Sequence, residues 1–272
     1  MKRRTFVKTA VFAATPLGLQ RTVRAAENPA KKLTLVQLCD PQLGFGADGF
    51  DADVARLKQA VKQVNELAPD AAVIAGDMVN NCKDEHAVKT FLELTAEMKV
   101  PVILTPGNHD LPDPVTAEHL ERYRTNFGKD YFIKEYNGVR IVSANSQLWR
   151  ESPPDESQRH DRFVLDAVKN AAAVPTIMLT HVPPFVKTID EKDAYFNLPT
   201  EKRRELLRLC DENSVTIWLA GHTHLTLKRS FNNVTILNGE TTSNNFDKRP
   251  FGFRLLTLYA DNHFDWEFQE LK

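Results

Sequence analysis

The sequence has no run of 18 apolar residues, so nothing in it spans a bilayer once a leader is removed. It has only three cysteines, Cys39, Cys82 and Cys210, and none lies in a CxxC. Three cysteines cannot make a complete disulfide set, which excludes a disulfide-stapled scaffold. Cys39 and Cys210 fall on apolar faces and read as buried thiols; Cys82 could approach Cys39 near a strand end. Internal repeats and low-complexity tracts are absent as well. What remains is an ordinary globular composition, 42% hydrophobic and 26% charged over 272 residues, long enough for a sizeable core.

An excess of positive charge is also missing, and the little there is clusters at the start. MKRRTFVKTAVFAATPLGLQRTVRAAE opens with Arg3-Arg4, continues through Thr5-Phe6-Val7-Lys8 and a short apolar run, and closes on Val23-Arg24-Ala25, a small-residue cleavage pattern. Residues 1–25 read as a twin-arginine signal peptide, which implies the Tat export machinery and a periplasmic or secreted protein. Residues 26–32 then form a linker, and 33–272 a single domain. Removing residues 1–25 takes Lys+Arg from 35 to 29 against 36 acidic residues, so the net charge moves from −1 to −7. So acidic a chain lacks the basic surface that nucleic acid requires.

Elements alternate after the linker. Apolar runs predict strands at 33–39, 71–75 and 100–104, with helices between them at 52–67, where Asp51 is a candidate cap, and at 84–99. A helix is expected over 115–126, then a hairpin of 131–136 and 139–144 across Asn137-Gly138. Helices at 162–173 and 201–213 flank strands at 176–179 and 215–219, and the end is all strand: 226–231, 234–237, 253–259 and 264–268. This order predicts two sheets, at least partly parallel, with helices outside them.

The informative feature is what terminates the buried strands. The first ends in Asp40-Pro41-Gln42, the second in Gly76-Asp77, the third in Gly107-Asn108-His109-Asp110. PTIMLT ends in His181, and VTIWLA in Gly221-His222-Thr223-His224. Five apolar runs each deliver metal-competent side chains at the carboxyl edge, where open α/β sheets bind ligands. The glycines before Asp77, Asn108 and His222 allow sharp turns and close approach. Taken singly, each motif is as readily a turn, a cap or a loop; five in order are not. His86, His119, His160 and His263 lie in polar or helical contexts and read as surface residues. Carboxylate, amide oxygen and imidazole together suit divalent ions, and a shared carboxylate suits a pair of them working on phosphorus.

On these motifs the chain resembles the calcineurin-like metallophosphoesterases over residues 33–270. The resemblance implies a four-layer α-β-β-α sandwich of two mixed sheets. It also implies two divalent ions, Mn, Fe, Zn or Mg, with a metal-bridging hydroxide as nucleophile. In that family's pattern Asp77 bridges; Asp40, position 42 and His224 complete one ion's shell, and Asn108, His181 and His222 the other's. His109 becomes the general acid, oriented by Asp110. Position 42 departs from the common pattern, since Gln42 stands where His is usual. The departure is similar to a branch whose first motif reads Asp-Pro-Gln, with further likeness at Asp130-Tyr131-Phe132, Asn145-Ser146-Gln147, Ile189–Leu198 and Arg249-Pro250. Gln42 is either a direct ligand through its carbonyl oxygen or a partner of a water ligand.

The expected activity is therefore that of an exported, monomeric phosphoester hydrolase, a phosphomonoesterase acting on a phosphorylated substrate. The alternatives are a nucleotide or other phosphodiesterase, and a non-catalytic metal-binding protein on the same fold. Loops 145–160, 183–200 and 239–251 are expected to shape the mouth. Their aromatics, Trp149, Phe185, Tyr195, Phe196 and Phe246, either stack on a base or sugar or pin the loops.

Overall fold

The computed structural model describes residues 29–170, 174–213 and 215–272; the twin-arginine segment 1–25 lies outside them. The first sheet is built from β1 (Lys31–Leu38), β2 (Ala71–Ala75), β3 (Val102–Thr105), β10 (Gly252–Tyr259) and β11 (Phe264–Glu270), in the order β11-β10-β1-β2-β3. Its strands β1, β2 and β3 run parallel, and β10 and β11 antiparallel to their neighbours. The second contains β4 (Phe132–Tyr136), β5 (Val139–Ser143), β6 (Thr176–Leu179), β7 (Val215–Ala220), β8 (Leu227–Phe231) and β9 (Val234–Asn238), in the order β4-β5-β6-β7-β9-β8. Its four central strands are parallel, with an antiparallel strand at each edge. Both sheets are mixed, as expected.

Strand periodicity explains the layering. Within β2, Ala71, Val73 and Ala75 face the other sheet, while Ala72 and Ile74 face helices. Ile177 and Leu179 of β6 and Ile217 and Leu219 of β7 complete the layer between the sheets, while Met178 and Trp218 point outward. Side chains alternate across a strand, so a strand covered on both faces must be apolar at every position. That is why these strands read as continuous apolar runs. Helices α1 (Phe50–Leu67), α2 (Glu85–Ala96) and α3 (Ala117–Phe127) cover the first sheet through Leu57, Val61, Phe91 and Leu120. Helices α4 (Pro154–Lys169) and α5 (Thr200–Glu212) cover the second through Val164, Val168, Leu206 and Leu207. Among the described residues no helix is long and apolar enough to cross a membrane.

Three expectations need correction. The helix placed at 162–173 begins at Pro154: its first two turns, PDESQRHD, show no apolar stripe, but Pro154 at the first helical position starts it. Loop 145–160 is accordingly a 3₁₀ turn (Ser146–Trp149) followed by the start of α4. Asp51 is not the α1 cap; the helix opens at Phe50 after Gly49, and Asp51 lies in its first turn. His160 is fully buried rather than on the surface, where its Nε2 accepts from the Asn145 amide at 3.0 Å. His86 and His263 are exposed and His119 half-buried. All three cysteines are free and buried, so Cys39 and Cys82 are not bonded.

Candidate metal centre

The carboxyl ends of β1, β2, β3, β6 and β7 converge where the two sheets meet. His181, following β6, is the hub. Its Nδ1 lies 2.7 Å from the Ala75 carbonyl, which can only accept, so Nδ1 carries the proton. The other nitrogen, Nε2, faces three electron-pair donors: Asn108 Oδ1 at 3.0 Å, His222 Nδ1 at 3.1 Å and Asp77 Oδ2 at 3.3 Å. His222 is arranged likewise, its Nε2–H donating to the Tyr195 carbonyl at 2.8 Å, so that Nδ1 offers a lone pair. Ligand atoms of Asp77, His181 and His222 all lie within 4.8 Å of one another.

Asp40 and His224 stand beside this group. Asp40 takes the His222 amide on both oxygens, and His224 Nε2 lies 3.6 Å from Asp40 Oδ1. His224 Nδ1 is engaged by the Asn244 carbonyl at 2.6 Å, again leaving Nε2 free to ligate. Gln42 Oε1 is buried with no hydrogen-bond partner. A buried amide oxygen without a donor is costly, on the order of 1–3 kcal/mol, unless something positive faces it. The donor set, two carboxylates, two amide oxygens and three imidazoles, therefore fits divalent cations.

The backbone is bent to achieve this. Asp40 (φ 46°), Gln42 (φ 39°), Asp77 (φ 50°), His222 (φ 69°) and His224 (φ 51°) all adopt left-handed conformations. Each costs roughly 1 kcal/mol relative to ordinary backbone, and such strain concentrates at functional sites. The glycines serve approach between strands rather than turning alone. A Cβ on Gly107 would overlap Asp77 Oδ1, and one on Gly221 would sit 2.6 Å from Asp40 Oδ2.

Charge is distributed accordingly. Burial favours the neutral form of Asp77, yet His181 above all, and His109 beside it, hold its carboxyl well below the usual range. Burial pulls His181 down, but Asp77 and Asp40 outweigh it and push it up to about 9. His222, buried and beside the His181 charge, stays neutral far below its ordinary value. Burial raises Asp40, and burial together with the Asp77 charge pushes Asp110 up to about 8.

The role expected of Asp110 needs correction. Its carboxylate accepts from the amides of Gly107 (2.8 Å) and Met78 (3.1 Å), tying the β2 and β3 ends together. The His109 ring is fixed instead by the Asn80 carbonyl, 2.8 Å from Nδ1, while the His109 amide donates to Asp77 Oδ1 at 2.8 Å. Four supports thus escape sequence reading: the carbonyls of Ala75, Asn80, Tyr195 and Asn244. A main-chain carbonyl has no side-chain signature.

Of the mouth aromatics, Trp149 and Phe185 are buried in the layer over the second sheet and pin their loops. Tyr195, Phe196 and Phe246 are exposed and pack on the site imidazoles. Phe246 stacks on His224 with centroids 4.6 Å apart, and Tyr195 lies 4.7 Å from His222.

Residues 36–225, more than half of the chain, match the family model described as calcineurin-like phosphoesterase. The chain belongs to that family. This metallophosphoesterase is a metal-dependent hydrolase of phosphoesters by membership. It is similar to the serine/threonine-protein phosphatase CPPED1 of Danio rerio, 29% identical over 213 residues that cover 70% of this chain and 69% of that protein. The Homo sapiens protein of the same name is 26% identical over 249 residues, covering 82% and 79% respectively. Among solved structures, a dimetal phosphatase from Danio rerio superposes with a TM-score of 0.64 at 14% identity, over 89% of this chain and 97% of that one. The four-layer α-β-β-α expectation agrees with that fold.

Proposed function

We propose that the chain is an exported phosphomonoesterase that works with two divalent ions, one held by Asn108, His181 and His222, the other by Asp40, Gln42 and His224, with Asp77 shared. One observation carries the reading. His181 Nε2, His222 Nδ1, Asn108 Oδ1 and Asp77 Oδ2 crowd within 3.3 Å of the first of them, and both imidazoles have given their other N–H to carbonyls. A proton on His181 Nε2 can lie along only one of those three lines; a divalent cation satisfies all four donors at once.

Bound divalent ions supply charge stabilisation for the phosphoryl oxygens and a nucleophile at neutral pH. The chain's own residues do the rest. Asp77, whose carboxyl stays ionised, is an anionic anchor common to both halves. Asp110 locks the β2 and β3 ends, so Asp77 and His109 keep their spacing. His109 has Nδ1 committed to Asn80, so in its charged form the transferable proton sits on Nε2, the atom that protonates the leaving oxygen. Likeness to proteins named as serine/threonine-protein phosphatases supports the monoester reading over the diester one, and the aromatics Tyr195, Phe196 and Phe246 at the mouth give the leaving group an apolar border.

Phosphate release from a panel of monoesters and diesters, with Mn²⁺ or Zn²⁺ and with a chelator, tests this. Metal-dependent release from monoesters is expected; release from diesters alone favours the phosphodiesterase alternative, and none from either favours the non-catalytic one. Export is tested separately by replacing Arg3 and Arg4 with Lys, which should hold the precursor in the cytoplasm. Unchanged export of that variant rules out the twin-arginine route.

A further inference from the structure

We propose that Tyr195 is a positioning residue that selects which atoms of Asn108 and His222 face the metal centre, and that Arg150 in turn holds the Tyr195 carbonyl in place. This rests on the metal-centre reading above.

Tyr195 touches two candidate ligands with two different atoms. Its hydroxyl accepts from Asn108 Nδ2 at 2.9 Å, and its main-chain carbonyl accepts from His222 Nε2 at 2.8 Å. Each bond settles a two-fold choice. A carboxamide can present either its oxygen or its nitrogen to a given point; with Nδ2 on the tyrosine hydroxyl, Asn108 turns Oδ1 toward His181. A neutral imidazole can carry its proton on either nitrogen; with Nε2–H on the tyrosine carbonyl, His222 turns a lone pair toward the same place. One residue thereby sets the donor atom of two ligands. Apolar burial does not explain its position, since Tyr195 is 53% exposed. The polar contacts do.

The carbonyl is itself held. Arg150 Nη2 donates to Tyr195 O at 2.5 Å and to Ala194 O at 3.3 Å, while Nη1 pairs with Asp113 at 3.2 Å. The guanidinium fork suits several fixed acceptors at once, and these contacts commit its charge to the loop rather than to a substrate. The loop is also closed on itself. The Glu191 carboxylate accepts from the amides of Val186 and Lys187 and from Asn197 Nδ2, and buried Arg203 donates to the carbonyls of Ile189, Leu198 and Glu191. Residues 186–200 are thus built as a fixed brace over the site.

The test titrates Mn²⁺ calorimetrically into the chelator-stripped full chain. Tyr195→Phe, which removes one oxygen and keeps the ring and the carbonyl, should weaken one class of ion about 10-fold and leave the other unchanged; losses of 10–100-fold are usual when a ligand's outer partner is lost. Arg150→Met should do the same through His222, with Arg150→Lys recovering part of the loss. The discriminating step is the Asn108→Asp background. A carboxylate presents oxygen whichever way it turns, so there Tyr195→Phe should lose most of its effect. A merely structural role would give the same loss in both backgrounds, and that result overturns the proposal, as does wild-type affinity in Tyr195→Phe. If the wild-type chain itself takes up no ion, the metal-centre reading fails and the proposal with it, an outcome distinct from failure of the variants alone.

Discussion

His181 and His160 are equally buried, each 0% exposed, yet they lie in opposite electrostatic surroundings. His181 sits at the end of β6 among two carboxylates, an amide oxygen and another imidazole, and is pushed up to about 9. His160 sits in the middle of α4 between the rings of Tyr131 and Trp149, 5.0 and 4.9 Å away, and burial pushes it down to about 4. One is surrounded by acceptors that need a positive charge; the other cannot tolerate one. Burial alone therefore marks neither as functional. What distinguishes them is the convergence of electron-pair donors, and each variant below removes or rearranges one side of that contrast.

The largest effect is expected from Asp77→Asn, which takes away the charge that raises His181 and that, on the two-ion proposal, both halves of the site share. Hydrolysis should fall by at least about 10³-fold, since the anchor common to nucleophile and charge clamp is lost, and both ions should bind weakly. Counting bound Mn²⁺ alongside phosphate release checks this; two tightly held ions with near-normal turnover would refute a shared role for Asp77. His109→Ala comes next, slowing esters with poor leaving groups by about 10²–10⁴-fold while keeping both ions. Activated aryl phosphates should be less affected, because they leave without a proton, and equal losses on both substrate types would make His109 structural.

His160 gives a smaller effect, in stability. Its unfolded form takes up a proton as pH falls below about 6.5, whereas the folded form resists until about 4. The unfolded state binds more protons in that window, so the contribution is full above pH 6.5 and is lost as pH falls toward 4. The loss amounts to about 3 kcal/mol. His160→Gln removes the titration and keeps an acceptor for the Asn145 amide, so its urea midpoint should fall less between pH 7 and pH 4. A wild-type curve parallel to that of the variant would refute the assignment.

The contrast also shows what a sequence reveals. The apolar strands and the candidate donor residues at their ends are legible, because a strand buried on both faces must be apolar throughout and a charged residue closing it stands out. His160 was misplaced because α4 begins polar, so its buried face shows no stripe. The stretches that marked the Asp-Pro-Gln branch prove to be anchors: Asp130 bonds Arg124 and Asn145, and Glu191 and Asn197 tie the loop that carries Tyr195. Their likeness is visible and their purpose is not, since each acts on partners brought near only by folding.

The smallest effect is expected at Gln42, where the looser half of the site can be tightened. The Asn108–His181–His222 group is drawn together at 3.0–3.1 Å, whereas His224 and Asp40 stand 3.6 Å apart and Gln42 Oε1 has no partner. Gln42 is fixed in a left-handed backbone conformation, its main-chain N–H donating to the Asp77 carbonyl at 2.8 Å, so its side chain is aimed from the same turn as Asp40. An amide oxygen is a neutral and weaker donor than imidazole, and it suits Mn²⁺ or Mg²⁺ better than zinc. Gln42→His should raise affinity at this half alone, by about 10-fold or 1.4 kcal/mol, and move its preference toward zinc. Stepwise titration of both proteins with Mn²⁺ and Zn²⁺ separates the outcomes. If the weaker ion keeps its affinity and metal order in the variant, Gln42 does not ligate directly and instead serves a water ligand; if both ions tighten together, the two halves are not independent and the contrast between them fails.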